Sequence, residues 1–361
     1  MHDDIMIYGA NGYTAGLIIE RAVAAGATPV LAGRTEATLR PLAERTGLAL
    51  RVFPVDDAYA VASNLHDIGV VINCAGPFVR TATCLAAGCV RTGAHYLDIT
   101  GEIDVFEDLA RMDHAAAAAG VMLMPGVGFD VVPSDCLAAH LKRRLPDATR
   151  LTLAFQALGS PSHGTATTMI ENLHRGSRIR ADGRIIAAPA GFAQRNIDFG
   201  RGPVPAMCIA WGDVATAYHS TGIPDIAVYM AAPLPLRWIS QAASALPGVT
   251  GSAMVRKVLQ RIVDAGPAGP DAAARRRGRS LLWGEVRNGA GKTAAARIET
   301  PEGYALTAIT AWDIACRVAS TGVARPGFRT PSMVLGADYI LGIAGTTRTE
   351  LSRVSQTIAL R

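Results

Sequence analysis

The sequence predicts an α/β fold, a doubly wound parallel sheet joined to a second α+β domain with an open mixed sheet. Three observations predict it. Strand-like and helix-like segments alternate six times over the first 125 residues, the rhythm that builds a parallel sheet covered by helices on both faces. A glycine-rich turn joins the first strand to the first helix. Past Pro125 the alternation gives way to strands separated mostly by turns.

The elements follow in order. Ile5–Tyr8 reads as a short buried strand, and a helix from Thr14 to Ala25 stops at Gly26. Pro29–Ala32 is a second strand, Glu36–Arg45 a helix kinked at Pro41, and Leu48–Val55 a third strand closed by Asp56-Asp57. Gly69–Asn73 is almost wholly apolar, as a strand buried on both faces must be. A helix over Thr81–Arg91, a strand over His95–Ile99, a helix over 104–118 and a strand over Val121–Met124 complete the first domain, residues 1–130. Residues 131–300 form the second domain, for substrate and dimer contacts, with a strand at Leu151–Ala157 and a helix at His163–Arg175. Segments 185–200, 206–211 and 225–231 are β-like, and helices are expected around 234–245 and 252–264. A loop spans Ala265–Arg279, and a hairpin turns at Asn288-Gly289-Ala290-Gly291. Tyr304–Ser320 is helical, and the segment 301–361 is expected to return to the first domain.

Composition narrows the function classes. Apolar residues are 50% of the 361 and charged residues 18%, which excludes a disordered chain. The six cysteines (74, 84, 89, 136, 208 and 316) form no CxxC pair, so neither a zinc knuckle nor a disulfide framework is expected, and reduced cytoplasmic thiols are. The net charge is +5, and three of 35 basic residues are lysine (Lys142, Lys257, Lys292). The basic residues are not gathered on one element, so no nucleic-acid partner is expected. The exception is Arg275, Arg276, Arg277 and Arg279, either a solvated loop or a docking point for an acidic partner. No apolar run is long enough for a transmembrane helix, and the acidic start Met1-His2-Asp3-Asp4 is unlike a secretory signal.

The turn Gly9-Ala10-Asn11-Gly12-Tyr13-Thr14-Ala15-Gly16 carries the chemistry. Glycine lets the backbone bend and approach a pyrophosphate, and the helix start offers unpaired N–H groups and a positive dipole end. Ala15 or Gly16 permits close helix–strand contact. In this setting the turn predicts a Rossmann-type dinucleotide site. The second strand ends Gly33-Arg34-Thr35 with no acid at its tip. A guanidinium there suits a 2′-phosphate, so NADP is expected over NAD. Asp56 ends the third strand, and Asn73-Cys74-Ala75-Gly76-Pro77-Phe78 the fourth. Cys74 is read as a packing residue. Thr100, Gly101 and Glu102 follow the fifth strand, and Asp130 the sixth. Glu102 and Asp130 are candidate catalytic groups or, alternatively, helix caps. Tyr96 is read as a packing residue. Arg175, Arg178 and Arg180 stand either as a carboxylate clamp or as solvated arginines, and His163 as an acid or a cap neighbour. No metal-spaced cluster is visible.

Taken in order, Gly9–Gly16, Ala32-Gly33-Arg34, Asn73–Phe78, His95–Glu102 and Gly128–Asp135 resemble the saccharopine dehydrogenase-like oxidoreductases, including the bacterial trans-acting enoyl reductase branch. Trp211-Gly212-Asp213, Tyr218–Gly222 and Gly327–Pro331 resemble them also. Ala15 departs from the third glycine often found there. The resemblance implies a Rossmann domain, a substrate domain and NADP as hydride carrier. We expect reduction of a C=C bond in a small-molecule or carrier-linked acyl substrate, in a cytoplasmic homodimer. The alternatives are C=N reduction of an amino-acid-derived substrate, and an NADP(H) sensor without turnover.

Overall fold

The computed structural model describes residues 4–157, 176–189, 193–232, 268–320 and 322–351, with the single positions 162, 164, 167, 257, 260, 261 and 266. His163 and Arg175, the helix expected at 163–175, and those expected around 234–245 and 252–264 lie largely or wholly outside the described residues. The chain divides into two units, Met1–Val132 with Gly303–Leu335, and Pro133–Glu302 with Gly336–Arg361.

The first unit opens β1 (Ile5–Tyr8), α1 (Tyr13–Ala24), β2 (Val30–Gly33), α2 (Glu36–Thr46), β3 (Leu50–Val52), α3 (Ala58–Leu65) and β4 (Val70–Asn73). It continues α4 (Ala82–Thr92), β5 (His95–Asp98), α5 (Ile103–Arg111), α6 (Asp113–Ala118) and β6 (Met122–Met124). The helix expected over 104–118 is thus two helices. Pro41 sits inside α2. Every residue of β1, β2, β4, β5 and β6 is buried, because helices cover both faces of a parallel sheet. α3 is started by Asp57, whose carboxylate accepts from Tyr59 N (2.9 Å) and Ala60 N (3.0 Å).

α7 (Val132–Arg144) leads into the second unit, with β7 (Ala148–Ala157), β8 (Ser177–Ala181), β9 (Arg184–Ala188), β10 (Gln194–Asp198) and β11 (Pro203–Ile209). Then come α8 (Asp213–Thr221), β12 (Asp225–Ala231), α9 (Ala272–Arg277), β13 (Arg279–Asn288) and β14 (Thr293–Pro301). α10 (Gly303–Ser320), β15 (Gly327–Phe328) and α11 (Pro331–Leu335) return to the first unit, whereas β16 (Thr347–Leu351) belongs to the second.

The first sheet is wholly parallel, in the order β15-β6-β5-β4-β1-β2-β3. The order in which strands are added reverses between β1 and β4, and ligands of such sheets bind beyond the strand carboxyl ends at that point. α10 lies against α1, and its Thr310 hydroxyl donates to Val127 O at 2.7 Å. The second sheet is mixed, in the order β10-β11-β12-β7-β13-β14-β16, with β8 and β9 attached through β12. β12 runs parallel to β7, and the other pairs are antiparallel. Ile197, Phe199, Tyr229, Leu281 and Trp283 form a core on this sheet. At Gly284 a Cβ would stand 2.8 Å from Leu141 Cδ1, so glycine lets α7 close on β13.

Two expectations change. The segment 301–361 is shared between the units, because β16 pairs with β14 and draws residues from 336 onward away from the first sheet. The stretch holding the arginine cluster is in part a helix, because Asp271 accepts from Ala274 N at 2.7 Å and starts α9. Arg275 donates to Pro270 O and Arg279 to Gly278 O, each at 2.7 Å, which leaves Arg276 and Arg277 as the exposed pair.

Candidate functional site: the carboxyl edge of the parallel sheet

The predicted cofactor residues of the first unit gather at one edge because parallel strands end on the same side. Gly9 N and Ala10 N donate to Ala32 O at 2.8 and 3.1 Å, and Gly12 N to Gly9 O at 3.0 Å. These bonds fold the turn back against β2. Gly9 has φ +79°, and a Cβ there would stand 2.7 Å from Ala75 N. Glycine is required on both counts. Gly12, just before α1, has φ −74° and ψ 154°, with Gly9 O at 3.2 Å and Cys74 O at 3.9 Å from a would-be Cβ. Its place is therefore open toward a ligand at the helix N-terminus. Asn11 is exposed, and Tyr13 and Thr14 are half-buried. Ala15 is fully buried, while nothing stands within 4 Å of a would-be Cβ at Gly16. Tyr13 meets Tyr304 edge-on, with ring centroids 5.3 Å apart.

Arg34, Thr35 and Asp56 are exposed beyond β2 and β3. Among the described residues no carboxylate lies within ion-pair distance of Arg34, so its guanidinium is available to an anion. Gly33 accepts from Phe53 N at 3.1 Å. Below them the Tyr8 hydroxyl donates to Phe53 O at 3.0 Å, and burial pushes its pKa up to about 12.

The loop after β4 is held from within. Asn73, fully buried, accepts from Ala75 N at 3.0 Å and donates to Thr81 Oγ1 and Tyr96 OH, each at 3.1 Å. Its side chain is spent on these internal bonds. Burial pushes the Cys74 thiol up, which keeps it protonated and suits a packing role. Glu102 accepts from Phe78 N at 2.9 Å and Val79 N at 3.3 Å. It thus caps the short helical turn Phe78–Arg80 that follows Pro77, not its own helix α5. Thr100 Oγ1 accepts from Glu102 N at 3.1 Å.

Asp130 behaves differently. It makes no cap bond to α7, which starts two residues later. The residue keeps part of its surface open, but its Oδ1 is shut away from solvent without a hydrogen-bond partner. A Cβ at Gly101 would stand 2.7 Å from its Oδ2, so glycine makes room for the carboxyl. Burial pushes that carboxyl up to about 7. A proton is therefore held near neutrality at the edge where ligands collect.

One buried acid was not singled out from the sequence. Asp98, fully buried, accepts from Tyr96 OH at 2.8 Å, Thr100 N at 3.0 Å and Gly126 N at 2.9 Å. Burial pushes it up to about 7, its donors pull the other way, and the Glu102 charge adds to the rise. Tyr96 is thus a packing residue with a second role. The Tyr-x-Asp spacing was the available signal, since residues two apart on a strand share a face.

In the second unit Arg180 is 5% exposed. Its Nε donates to Val214 O at 2.8 Å and its Nη1 to Gly183 O at 2.7 Å, and its guanidinium lies over the Tyr218 ring. It is committed to the fold and does not form a solvent-facing clamp. Arg178 is half-buried on β8. Among the described residues no group of histidines, cysteines or carboxylates could hold a metal, and no helix is long and apolar enough to cross a membrane.

Residues 5–124 match the family described as saccharopine dehydrogenase NADP binding domain. A trans-acting enoyl reductase of Mycobacterium leprae is 35% identical over 150 residues, 39% of this chain and 36% of that protein. One from Mycobacterium ulcerans is 28% identical over 227 residues, 58% of this chain and 54% of that protein. The chain thus spans about half or less of the length of these curated relatives. Among solved structures, the apo saccharopine dehydrogenase (L-Glu forming) of Saccharomyces cerevisiae covers 97% of this chain and 100% of its own, with TM-score 0.62 and 13% identity, a likeness of fold. Residues 5–124, which form all but the returning strand of the parallel sheet, are by that match an NADP-binding domain.

Proposed function

We propose that the protein is an NADP-dependent oxidoreductase that reduces a C=C bond conjugated to an acyl carbonyl, with Asp130 as proton donor. Bound NADPH supplies the hydride. The chain's own residues bind, orient and protonate. The Gly9–Gly12 turn and the start of α1 take the pyrophosphate, and Arg34 with Thr35 takes the 2′-phosphate. The backbone of Asn73–Phe78 and Thr100–Gly101 lines the nicotinamide side, and Glu102 holds the Phe78–Arg80 turn in place. Asp130 would give its proton to the carbon next to the carbonyl, the far carbon being the one that a hydride from bound NADPH would reduce. The carboxylate left behind is re-protonated from solvent.

The single observation that carries this reading is the Asp130 carboxyl beside Gly101, whose Oδ1 is shut away from solvent without a hydrogen-bond partner. The names of the mycobacterial relatives support the enoyl substrate, and the internal commitment of Arg180 removes one clamp that an amino-dicarboxylate would use. Incubation with NADPH and either enoyl thioesters or preformed imines, followed by nicotinamide absorbance, tests it. Faster oxidation with thioesters is expected. Faster oxidation with imines overturns the C=C assignment, and none across both sets overturns catalysis in favour of an NADP(H) sensor.

Two further outcomes follow from charge. Arg34→Ala should weaken NADPH by about ten- to a hundredfold, the worth of a charge-assisted contact, and leave NADH unchanged. Parallel titrations check this, and a retained NADPH preference refutes the contact. Neutralising Arg275, Arg276, Arg277 and Arg279 together should slow turnover of an acyl group borne on an acidic carrier protein at low salt, but not of a small free thioester. Equal effects on both substrates would remove the cluster from docking.

A further inference from the structure

Beside the Gly9–Gly12 turn, side chains of β4, β5 and the start of α4 join in one chain of hydrogen bonds. Asp98 Oδ1 ties the loops after β5 and β6 through Thr100 N and Gly126 N, and its Oδ2 accepts from Tyr96 OH. Tyr96 in turn accepts from Asn73 Nδ2 at 3.1 Å, which carries the chain into the loop after β4. There Asn73 Oδ1 accepts from Ala75 N, Asn73 Nδ2 also donates to Thr81 Oγ1, and Thr81 donates to Ala75 O at 2.7 Å. The direction of each bond is forced. Ala75 N–H can only donate, so Asn73 must face it with oxygen and turn its NH2 to Tyr96 and Thr81. Both polar backbone atoms of Ala75 are thereby fixed, and Ala75 is the residue against which Gly9 closes. Asn73, Tyr96 and Asp98 are fully buried, so water cannot replace a lost member.

We propose that this chain positions the dinucleotide site: Asp98, Tyr96, Asn73 and Thr81 set Ala75, and Ala75 sets the Gly9–Gly12 turn for the NADP pyrophosphate. The proposal rests on the reading of that turn as the phosphate site. None of the four side chains need touch the cofactor, so they are positioning residues.

Thr81 gives the cleanest test, because valine keeps its shape without the hydroxyl and serine keeps the hydroxyl. The readout is the NADPH Kd, from nucleotide fluorescence well below the melting temperature, with circular dichroism as a check on folding. Thr81→Val and Tyr96→Phe should each raise Kd about tenfold, and Thr81→Ser should stay within about twofold of wild type. The double variant should show less than the product of the two effects, since both break one network. A purely structural role would lower the melting temperature of Thr81→Val and Tyr96→Phe with Kd unchanged, and that result overturns the proposal. Should Tyr96→Phe fail to fold, the half-buried Thr81 pair decides. Gly12→Val, measured alongside, separates the two ideas. Binding lost there but intact in Thr81→Val and Tyr96→Phe overturns the positioning role alone. Binding intact in folded Gly12→Val overturns the phosphate turn and the positioning role with it.

Discussion

Gly12→Val is expected to abolish NADPH binding while the protein stays folded. The backbone at Gly12 is extended, with φ −74° and ψ 154°, so valine can adopt it without left-handed strain. A Cβ would meet Gly9 O at 3.2 Å and Cys74 O at 3.9 Å. The branched methyls would instead occupy the space where the pyrophosphate meets the N–H groups of α1. A rise in Kd of about a hundredfold or more is expected, roughly 3 kcal/mol of binding. Glycine is preferred to valine at a helix start, so a loss of about 1 kcal/mol in stability accompanies it. Gly9 would be the wrong position for this test, because φ +79° and the closeness of Ala75 N would disturb the fold itself. Circular dichroism paired with NADPH fluorescence reads both effects. A folded variant that binds NADPH as wild type does refutes the assignment of this turn.

Asp130→Asn is expected to lower kcat by about 10²- to 10⁴-fold, the usual worth of a positioned proton donor, with NADPH affinity kept. The amide fits the same space beside Gly101 but has no acidic proton. The wild-type rate should hold at low pH and fall as pH rises through about 7, where the carboxyl loses its proton. The variant should lack that limb. Asp98 is also raised to about 7, so the limb alone does not assign the donor and its loss in Asp130→Asn does. Stability moves with the same sign. A carboxyl whose folded-state value is raised contributes stability that is complete below its unfolded value and lost as pH rises through the folded one. Asp130→Asn should therefore flatten the fall in melting temperature toward neutral pH. An unchanged kcat and an unchanged pH profile would remove Asp130 from the chemistry.

Local signals were legible where local physics dominates. The wholly apolar run Val70–Ile72, the alternation up to Met124, and the hairpin between β13 and β14 all read correctly, since each depends on neighbours a few positions apart. The acid beyond β6 was legible as a candidate, but its environment was not. Nothing near Asp130 in sequence says that its carboxyl sits against Gly101 with Oδ1 lacking a partner. The same limit made Glu102 ambiguous, because the amides it accepts from belong to Phe78 and Val79, more than twenty positions earlier.

The sequence by itself determined the alternating α/β order, the glycine turn at Gly9–Gly12 and the arginine at the tip of β2. These arise from periodicity, from glycine's freedom and from the charge of single side chains, and none of them needs a distant partner. Tertiary structure alone decided the polar chain beside the turn and the division of the C-terminal segment. Asn73 reaches Tyr96 only because β4 lies beside β5 in a register that places Asn73 opposite Asp98. β15 is two residues long, too short for any period to show, and it joins the first sheet only by pairing with β6. β16, a few residues later, finds its partner in β14 of the other sheet. In both cases the deciding hydrogen bonds join residues far apart in the chain, and only the folded backbone brings their donors and acceptors within reach.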